Sequence, residues 1–524
     1  MKTLTFFLLS VSILLSGSCQ ENTMEQGNTV YSHPLLLDGE GLDMVGTESL
    51  IFVPENRNNP DSRLIGVHFF RLPAKGESTL PPVFYLPGGP GGRYDVRYFY
   101  ESFGRERAKA WVWQLDKLRE TREVIIMNQR GHSYTPGFQV KQMEFGFSIG
   151  EEDKPFNADT CAANFARAYS ETVDKFKKVG VDVEGYDIRN MVGDIEDVRK
   201  YLGVEEIALM GTSFGSQWAL AYHQTYPQQV DRMLLSGIEP LNHAYDDPAG
   251  IWKVLERIAA EAEEDPMIKE LLPEGGFIAA YQEVVKRFEN GPLSTKVSIQ
   301  EEGIDDEVII GLDDLRENFF YPFADDRRES LASWPKYILD LYHENYEILG
   351  LWALEERGGK EGELLMSPLI DNSLGISESR DNLLSNREEI RWIGDPNIFY
   401  KSIRELEGSV AVDDEFRTHV SSDVPLLMIQ GDMDWSTPIE NAEFVADFFP
   451  NHHMLTVHRG THDANRELVL TNEVLAEKLL SFMNQDFDDQ ELSDFFQSLP
   501  LETELEKIPF WPVEGPGLME RLIE

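Results

Sequence analysis

Two cysteines in 524 residues exclude a disulfide framework and a cysteine-based zinc site. With Cys19 assigned elsewhere (below), Cys161 has no partner in the chain and reads as a small buried hydrophobe. Basic residues are also scarce: 47 face 93 acidic ones, for a formal net charge of -46. A surface of that sign repels phosphate backbones and anionic headgroups, which argues against a nucleic-acid partner. It suits solubility, or the attraction of cationic substrates such as peptides with a free amino terminus. Past the first residues, no apolar run reaches the roughly eighteen residues of a membrane-crossing helix.

The chain has ample core material, at 41% hydrophobic and 11% aromatic residues, so global disorder is excluded and the length suggests more than one domain. Met1-Lys2 precedes an apolar run from Leu4 to Leu15, then Ser16-Gly17-Ser18-Cys19. That order predicts an export signal over residues 1–18. A cysteine after small residues resembles the bacterial lipobox, although Ser16 holds the usual aliphatic position. Cys19 is therefore expected to be lipidated and to attach the protein to a membrane, with plain secretion as the alternative, and residues 19–47 read as a polar tether.

Two β-rich runs, 50–54 and 64–72, flank Asn58-Asn59-Pro60-Asp61 and predict a hairpin. Short apolar runs follow at 83–86, 124–127, 206–210, 232–235, 425–430 and 453–457, as suits strands buried on both faces of a parallel sheet. Helical spacing at 187–202 and 214–225 alternates with them, which predicts a doubly wound α/β sheet. The alternation stops near 240 and resumes near 424. Helical stretches between, at 250–264, 277–289, 313–321 and 329–342, predict a mainly helical cap inserted over the sheet's carboxyl edge. The expected organisation is core at 48–240, cap at 241–423, core again at 424–484, and an acidic tail at 485–524 packed along the core surface.

Gly211-Thr212-Ser213-Phe214-Gly215 sits between a buried strand and a helix, the context a nucleophile elbow requires. A serine hydroxyl needs a base within reach, and the base needs an orienting carboxylate, in the chain order serine, acid, histidine. Strand 425–430 runs into Gly431-Asp432-Met433-Asp434, and strand 453–457 into His458-Arg459-Gly460-Thr461-His462. Asp434 is preferred to Asp432, which lies close enough to the strand to cap its turn. His462 is preferred to His452, His453 and His458, because it alone follows a glycine-containing turn beyond the strand end. Leu86-Pro87-Gly88-Gly89-Pro90-Gly91-Gly92 offers backbone N–H groups to a developing oxyanion, with Gly89 and Phe214 as the expected donors.

Together these blocks resemble the prolyl-aminopeptidase and tripeptidyl-aminopeptidase branch of the α/β hydrolases. Pro87 to Gly91 is similar to its oxyanion loop, Asn128-Gln129-Arg130-Gly131 to its D-Q-R-G block, and Gly211 to Gly215 to its elbow. Gly431-x-x-Asp434-x-x-Thr437-Pro438 and Gly460-x-His462 are similar to its acid and base loops, and the likeness runs over about residues 48–484. Pro87 stands where the prolyl form has histidine, Asn128 replaces the usual aspartate, and His132-Ser133 departs from the usual pattern, so the resemblance does not carry a strict prolyl preference. It implies an α/β-hydrolase fold and an aminopeptidase acting through Ser213, His462 and Asp434 on peptides, with no metal or organic cofactor. It also implies acidic residues that hold the substrate's amino group. Glu239, Glu261, Glu263 and Glu264 are candidates, with Glu239 foremost. An esterase with a small acyl substrate shares the same acyl-enzyme chemistry, and a silent binding protein is the reading from another class.

Overall fold

A computed structural model describes residues 20–23, 29–37, 44–92, 94, 105–131, 143–299, 304–319, 328–408 and 410–519. The expected signal at 1–18, Cys19 and His132-Ser133 lie outside the described residues. In chain order the strands are β1 (Gln20–Thr23), β2 (Thr29–Leu37), β3 (Met44–Pro54), β4 (Leu64–Leu72), β5 (Val83–Leu86), β6 (Val124–Met127), β7 (Glu144–Ser148) and β8 (Ile207–Thr212). They continue as β9 (Val230–Ser236), β10 (Leu293–Ile299), β11 (Ile304–Ile310), β12 (Lys360–Leu364), β13 (Leu426–Gly431), β14 (His452–His458) and β15 (Glu502–Glu504). The helices that shape the site and its supports are α1 (Arg105–Leu118), α2 (Ala158–Lys178), α3 (Ile188–Leu202), α4 (Phe214–Thr225), α5 (Pro248–Ala262) and α6 (Gly276–Glu289). After them come α7 (Trp334–Tyr342), α8 (Glu347–Glu356), α9 (Met366–Leu374), α10 (Ala464–Thr471) and α11 (Glu473–Asn484).

The main sheet has the order β1-β2-β3-β4-β6-β5-β8-β9-β13-β14-β15. From β6 to β15 all neighbours run parallel, and from β6 back to β1 they are antiparallel. Strands β5, β6, β8 and β13 are buried at every position, the reason their sequences are apolar but for Thr212 and Gln430 near two strand ends. Successive side chains enter opposite layers. Leu209 packs with Ile188, Ile195 and Trp218 of α3 and α4. Its neighbours Ala208 and Met210 pack with Trp111, Leu468 and Phe482 of α1, α10 and α11. The strand ends are brought level: Leu86 lies opposite Gly211, Thr212 and Ile429 opposite Ser236, and Gly431 opposite Val457. One edge therefore gathers the loops after β5, β8, β9, β13 and β14.

Two expectations need correction, and a third gains detail. Residues 29–37, expected within a tether, form β2 and pair with β3, burying Val30 and Leu35. Their alternation was hidden because Tyr31, His33 and Pro34 face solvent. The cap, mainly helical as expected, also carries strands. It holds the β10–β11 hairpin, in which Val297, Ile299, Val308 and Ile310 are buried while Lys296, Ser298 and Glu307 are exposed. Its strand β12 also pairs with β7. The tail does more than follow the core: β15 extends the sheet beside β14, and Ile508, Leu518 and Met519 then join the apolar cluster of α5, α6, α7 and α8 in the cap. Cys161, on α2, is buried, which pushes its thiol up to about 12.

One buried ion pair ties the core together. Arg130 sits just past β6, fully buried, and its guanidinium grips both oxygens of Asp194 on α3, at 2.8 and 2.6 Å. It also donates to the backbone oxygens of Glu55 and Gly185, both at 2.5 Å. Removing Arg130 leaves the buried Asp194 with Arg57 Nη2 (2.8 Å) on Oδ1 but without its closest charged partner, and leaves the Glu55 and Gly185 oxygens one donor short. Arg130→Met is expected to lower stability by about 3–5 kcal/mol, read as a fall in the urea midpoint; an unchanged midpoint would show that the pair is no clamp.

Candidate active site

Strand β8 runs through Gly211-Thr212 straight into Ser213, which is held at φ 59° and ψ -136° before α4 begins at Phe214. A non-glycine residue rarely adopts a positive φ, and such geometry marks functional turns. The flanking glycines are required by close approach: a Cβ on Gly211 would lie 2.3 Å from Gly215 O, and one on Gly215 would lie 2.1 Å from Leu86 O. The Ser213 N–H donates to Ser236 O (3.1 Å), and the Thr212 and Ser236 hydroxyls share a 2.9 Å hydrogen bond. Phe214 takes the first helical position, where backbone N–H groups have no partner within the helix.

The loop after β13 presents Asp434, 1% exposed. It accepts hydrogen bonds from the Thr437 N–H (2.8 Å), the Thr437 hydroxyl (2.6 Å) and Gln430 Nε2 (2.9 Å). His462 Nδ1 stands 3.0 Å from Asp434 Oδ2 and 3.1 Å from Oδ1. With Nδ1–H given to the carboxylate, Nε2 is the ring's acceptor. The imidazole packs over Gly237 (φ 54°), where a Cβ would stand 2.9 Å from His462 Cε1. Gln430 joins these loops, since Nε2 also donates to Thr437 O (2.7 Å) while Oε1 accepts from the Ile238 N–H (3.1 Å). The rivals lie elsewhere. Asp432 accepts from the Arg459 N–H (2.7 Å) and pairs with His458 Nδ1 (2.8 Å). His452 and His453 bond Phe449 O and Pro500 O at the start of β14.

The glycine loop lies across from the serine: a Cβ on Gly88 would come within 3.1 Å of Ser213 Cβ. Gln129 pins this loop, donating to Pro87 O (3.1 Å) and Gly88 O (2.9 Å) and accepting from the Gly91 N–H (2.6 Å). Its neighbour Asn128 accepts from the Tyr94 N–H (2.8 Å). Gln129 is thus the clamp behind the loop, with Asn128 holding the chain just beyond it. Phe214 directly follows Ser213, and Gly89, at φ 122°, directly follows Gly88.

Glu239 reaches the serine, and Asp246 and Asp371 lie within electrostatic range of Glu239. Glu239, just past β9, has Oε1 3.3 Å from Ser213 Oγ, which donates to it. Burial pushes its carboxyl up to about 8, against the lowering influence of His462. Asp246, before α5, is pushed up to about 6 by burial, with Arg380 opposing. Asp371, on α9, is raised well above the carboxylate range by burial and by Glu239, although Tyr400 hydrogen-bonds it. A cavity of about 510 Å³ is lined by Asp246 and by Trp435, the residue after Asp434, together with Glu317 and Phe399. The other acidic candidates are engaged away from it. Glu261 pairs with Arg459 (2.7 Å), Glu263 accepts from the Phe277 N–H (2.9 Å), and Glu264 pairs with Lys507. Among the described residues, no group of three or more His, Cys, Asp or Glu is arranged to hold a metal.

Asp371, Asp246 and Gln430 escaped the reading of the sequence. Asp371 arrives from the cap in a helix with no motif of its own. Asp246 stands in the short link to α5. Gln430 left one trace, a lone polar residue at the end of a wholly apolar strand run.

Residues 81–266 match the family model for the alpha/beta hydrolase fold. Curated relatives match over short stretches. A proline iminopeptidase of Neisseria gonorrhoeae is 41% identical over 64 residues, 12% of this chain and 21% of that protein. Proline iminopeptidases of Neisseria meningitidis serogroup A and of Xylella fastidiosa (strain Temecula1) are each 45% identical over 49 residues, 9% of this chain and 16% of theirs. The match thus spans about a fifth or less of these relatives' length. A solved alpha/beta hydrolase from a Medee basin deep-sea metagenome library is 11% identical, with 81% of this chain and 96% of that one covered at a TM-score of 0.32. Sheet order and the family model over residues 81–266 show an α/β-hydrolase fold, and the short stretches of sequence likeness are to proline iminopeptidases.

Proposed function

We propose that the protein is an exported serine aminopeptidase, which cleaves acyl groups bearing a free amino terminus from peptides. The observation that carries this reading is the Glu239 carboxyl group 3.3 Å from the Ser213 hydroxyl, with Asp371 and Asp246 close enough to interact with it. A neutral ester gains nothing from such a pocket, whereas an ammonium offsets the cost of burying it. Ser213 Oγ attacks the acyl carbon and its proton passes to His462 Nε2. Asp434 holds the imidazole and stabilises its cation. The carbonyl oxygen takes the negative charge and meets the N–H groups of Gly89 and Phe214. Collapse breaks the C–N bond, the leaving amine takes the proton from His462, and water then releases the acyl group by the same route. The apolar run Leu4–Leu15 before Cys19 supports export with lipid attachment as the localisation.

A panel of aminoacyl, prolyl and tripeptidyl reporters beside short-chain esters tests the substrate class. Aminoacyl or peptidyl turnover is expected, and Ser213→Ala should lower it by about 10⁴-fold or more. Glu239→Gln should raise KM for aminoacyl reporters by about ten- to a hundredfold, the loss of one charged hydrogen bond. Fast ester turnover with no aminoacyl turnover would make the protein an esterase. Gln430→Met leaves Asp434 and the Ile238 N–H each one partner short, so a fall in kcat of about tenfold is expected with KM little changed. An unaltered kcat would remove Gln430 from the positioning of the acid.

A further inference from the structure

The hydrogen bond from Ser213 to Glu239 bears on more than substrate binding. General-base catalysis needs the hydroxyl proton directed at His462 Nε2, yet here the hydroxyl donates to Glu239 Oε1 (3.3 Å). The placement is built into the backbone. The Glu239 N–H donates to Ser216 Oγ (2.9 Å), the same oxygen donates to Ser213 O (2.7 Å), and Gln217 Nε2 donates to Pro240 O (2.9 Å). The segment carrying Glu239 is therefore bolted to the first turns of the elbow helix and moves with the serine.

A carboxylate so close opposes acylation in two ways. It competes with His462 for the hydroxyl proton. It also repels the negative charge that develops on the carbonyl oxygen beside Ser213, in a site where water screens little. We propose that Glu239 is a conditional brake on the nucleophile: its carboxylate holds the Ser213 hydroxyl until a substrate ammonium replaces it as partner, so that acylation is fast only for acyl groups carrying a cationic amine beside the carbonyl. This rests on the aminopeptidase reading and adds to it that the amine acts on the rate of acylation as well as on affinity.

The geometry fits one ammonium bridging both tasks. In an aminoacyl group the amine nitrogen lies about 2.5 Å from the acyl carbon. An ammonium on Glu239 then leaves that carbon within reach of Ser213 Oγ, 3.3 Å from the same carboxylate. The groups facing Glu239 are Ser213 on the elbow, His462 and Asp434 on their loops, Asp246 before α5 and Asp371 on α9. His462 and the hydrogen bond from Ser213 favour the ionised form, but burial above all, with the carboxylates, opposes it and holds Glu239 up at about 8. The carboxyl is neutral below that pH and charged above it. For an uncharged acyl donor the brake engages as pH rises through about 8. An ammonium keeps it released.

The test is the rate at which an uncharged fluorophosphonate labels Ser213 in the full chain, between pH 6.5 and pH 9 as about the useful range. Glu239→Gln should label about tenfold faster than wild type at the alkaline end and converge with it at the acid end. Ethylammonium, which carries the charge but no acyl group, should accelerate wild-type labelling towards the variant's rate and leave the variant unchanged. Glu239→Asp, which withdraws the carboxylate by one methylene, serves if the glutamine variant does not fold, and should fall between the two. The brake is refuted if Glu239→Gln labels no faster than wild type, if ethylammonium slows or leaves wild-type labelling as it was, or if Ser213 takes no label. Aminoacyl turnover is read separately: its absence beside ammonium-stimulated labelling would overturn the substrate reading and keep the brake.

Discussion

Ser213 is held at φ 59° and ψ -136°, and the loops around it are arranged to keep it there. A residue with a side chain in that region costs about 1–3 kcal/mol. The cost is offset locally: the Ser213 N–H is taken by Ser236 O, the two flanking glycines admit the chain crossing, and α4 continues from the turn as a helix buried from Phe214 to His223. The same close fit brings Leu86 and the glycine loop onto the elbow. A relaxed serine would lose the hydroxyl's exposure at the sheet edge and the alignment of the Phe214 N–H together.

The acid and base are fixed by a second set of contacts that runs across loops rather than along them. Gln430 reaches from the end of β13 to Asp434, Thr437 and Ile238, so the acid loop is tied to the turn over which His462 packs. On the outer side, Arg459, with φ 61°, joins the base loop to Glu261 of the cap and to Glu504 of β15. Arg257 of α5 donates to Asp432 O (3.1 Å) and pairs with Glu440 (2.9 Å). Cap, tail and base loop therefore share charged partners close to the imidazole. Displacement of the cap is felt at the site through these contacts, which are paired and partly buried and so less open to screening than isolated surface pairs.

The sequence was most legible where chemistry is local. Strands 64–72, 83–86 and 124–127 and helix 214–225 coincide with β4, β5, β6 and α4, because continuous apolar runs and the G-x-S-x-G turn leave few alternatives. Strand β8 extends two residues beyond its apolar run, since the pairing of Gly211 and Thr212 with Leu235 and Ser236 is a property of the neighbour, not of their own side chains. Strands β2, β10 and β11 were illegible for a related reason: each has one solvent face of charged or hydroxyl residues that reads as loop until a partner strand is in place. The candidate site divides the same way. Serine, acid and histidine each leave a strand end and can be found by order. Asp371 comes from the cap, and nothing in its own segment signals that folding sets it beside Glu239.

What unites these features is a single claim: an acyl group carrying an ammonium is held between Glu239 and the N–H groups of Gly89 and Phe214, with Ser213 and His462 at its carbonyl. A crystal structure of the protein after reaction with an α-aminoalkyl phosphonate diphenyl ester tests this most directly. The account predicts phosphorus bonded to Ser213 Oγ, a phosphonyl oxygen within hydrogen-bond distance of the Gly89 and Phe214 N–H groups, and the ammonium on the Glu239 carboxylate with Asp371 behind it. An adduct on another residue, or one on Ser213 whose ammonium points to solvent and away from Glu239, would contradict it.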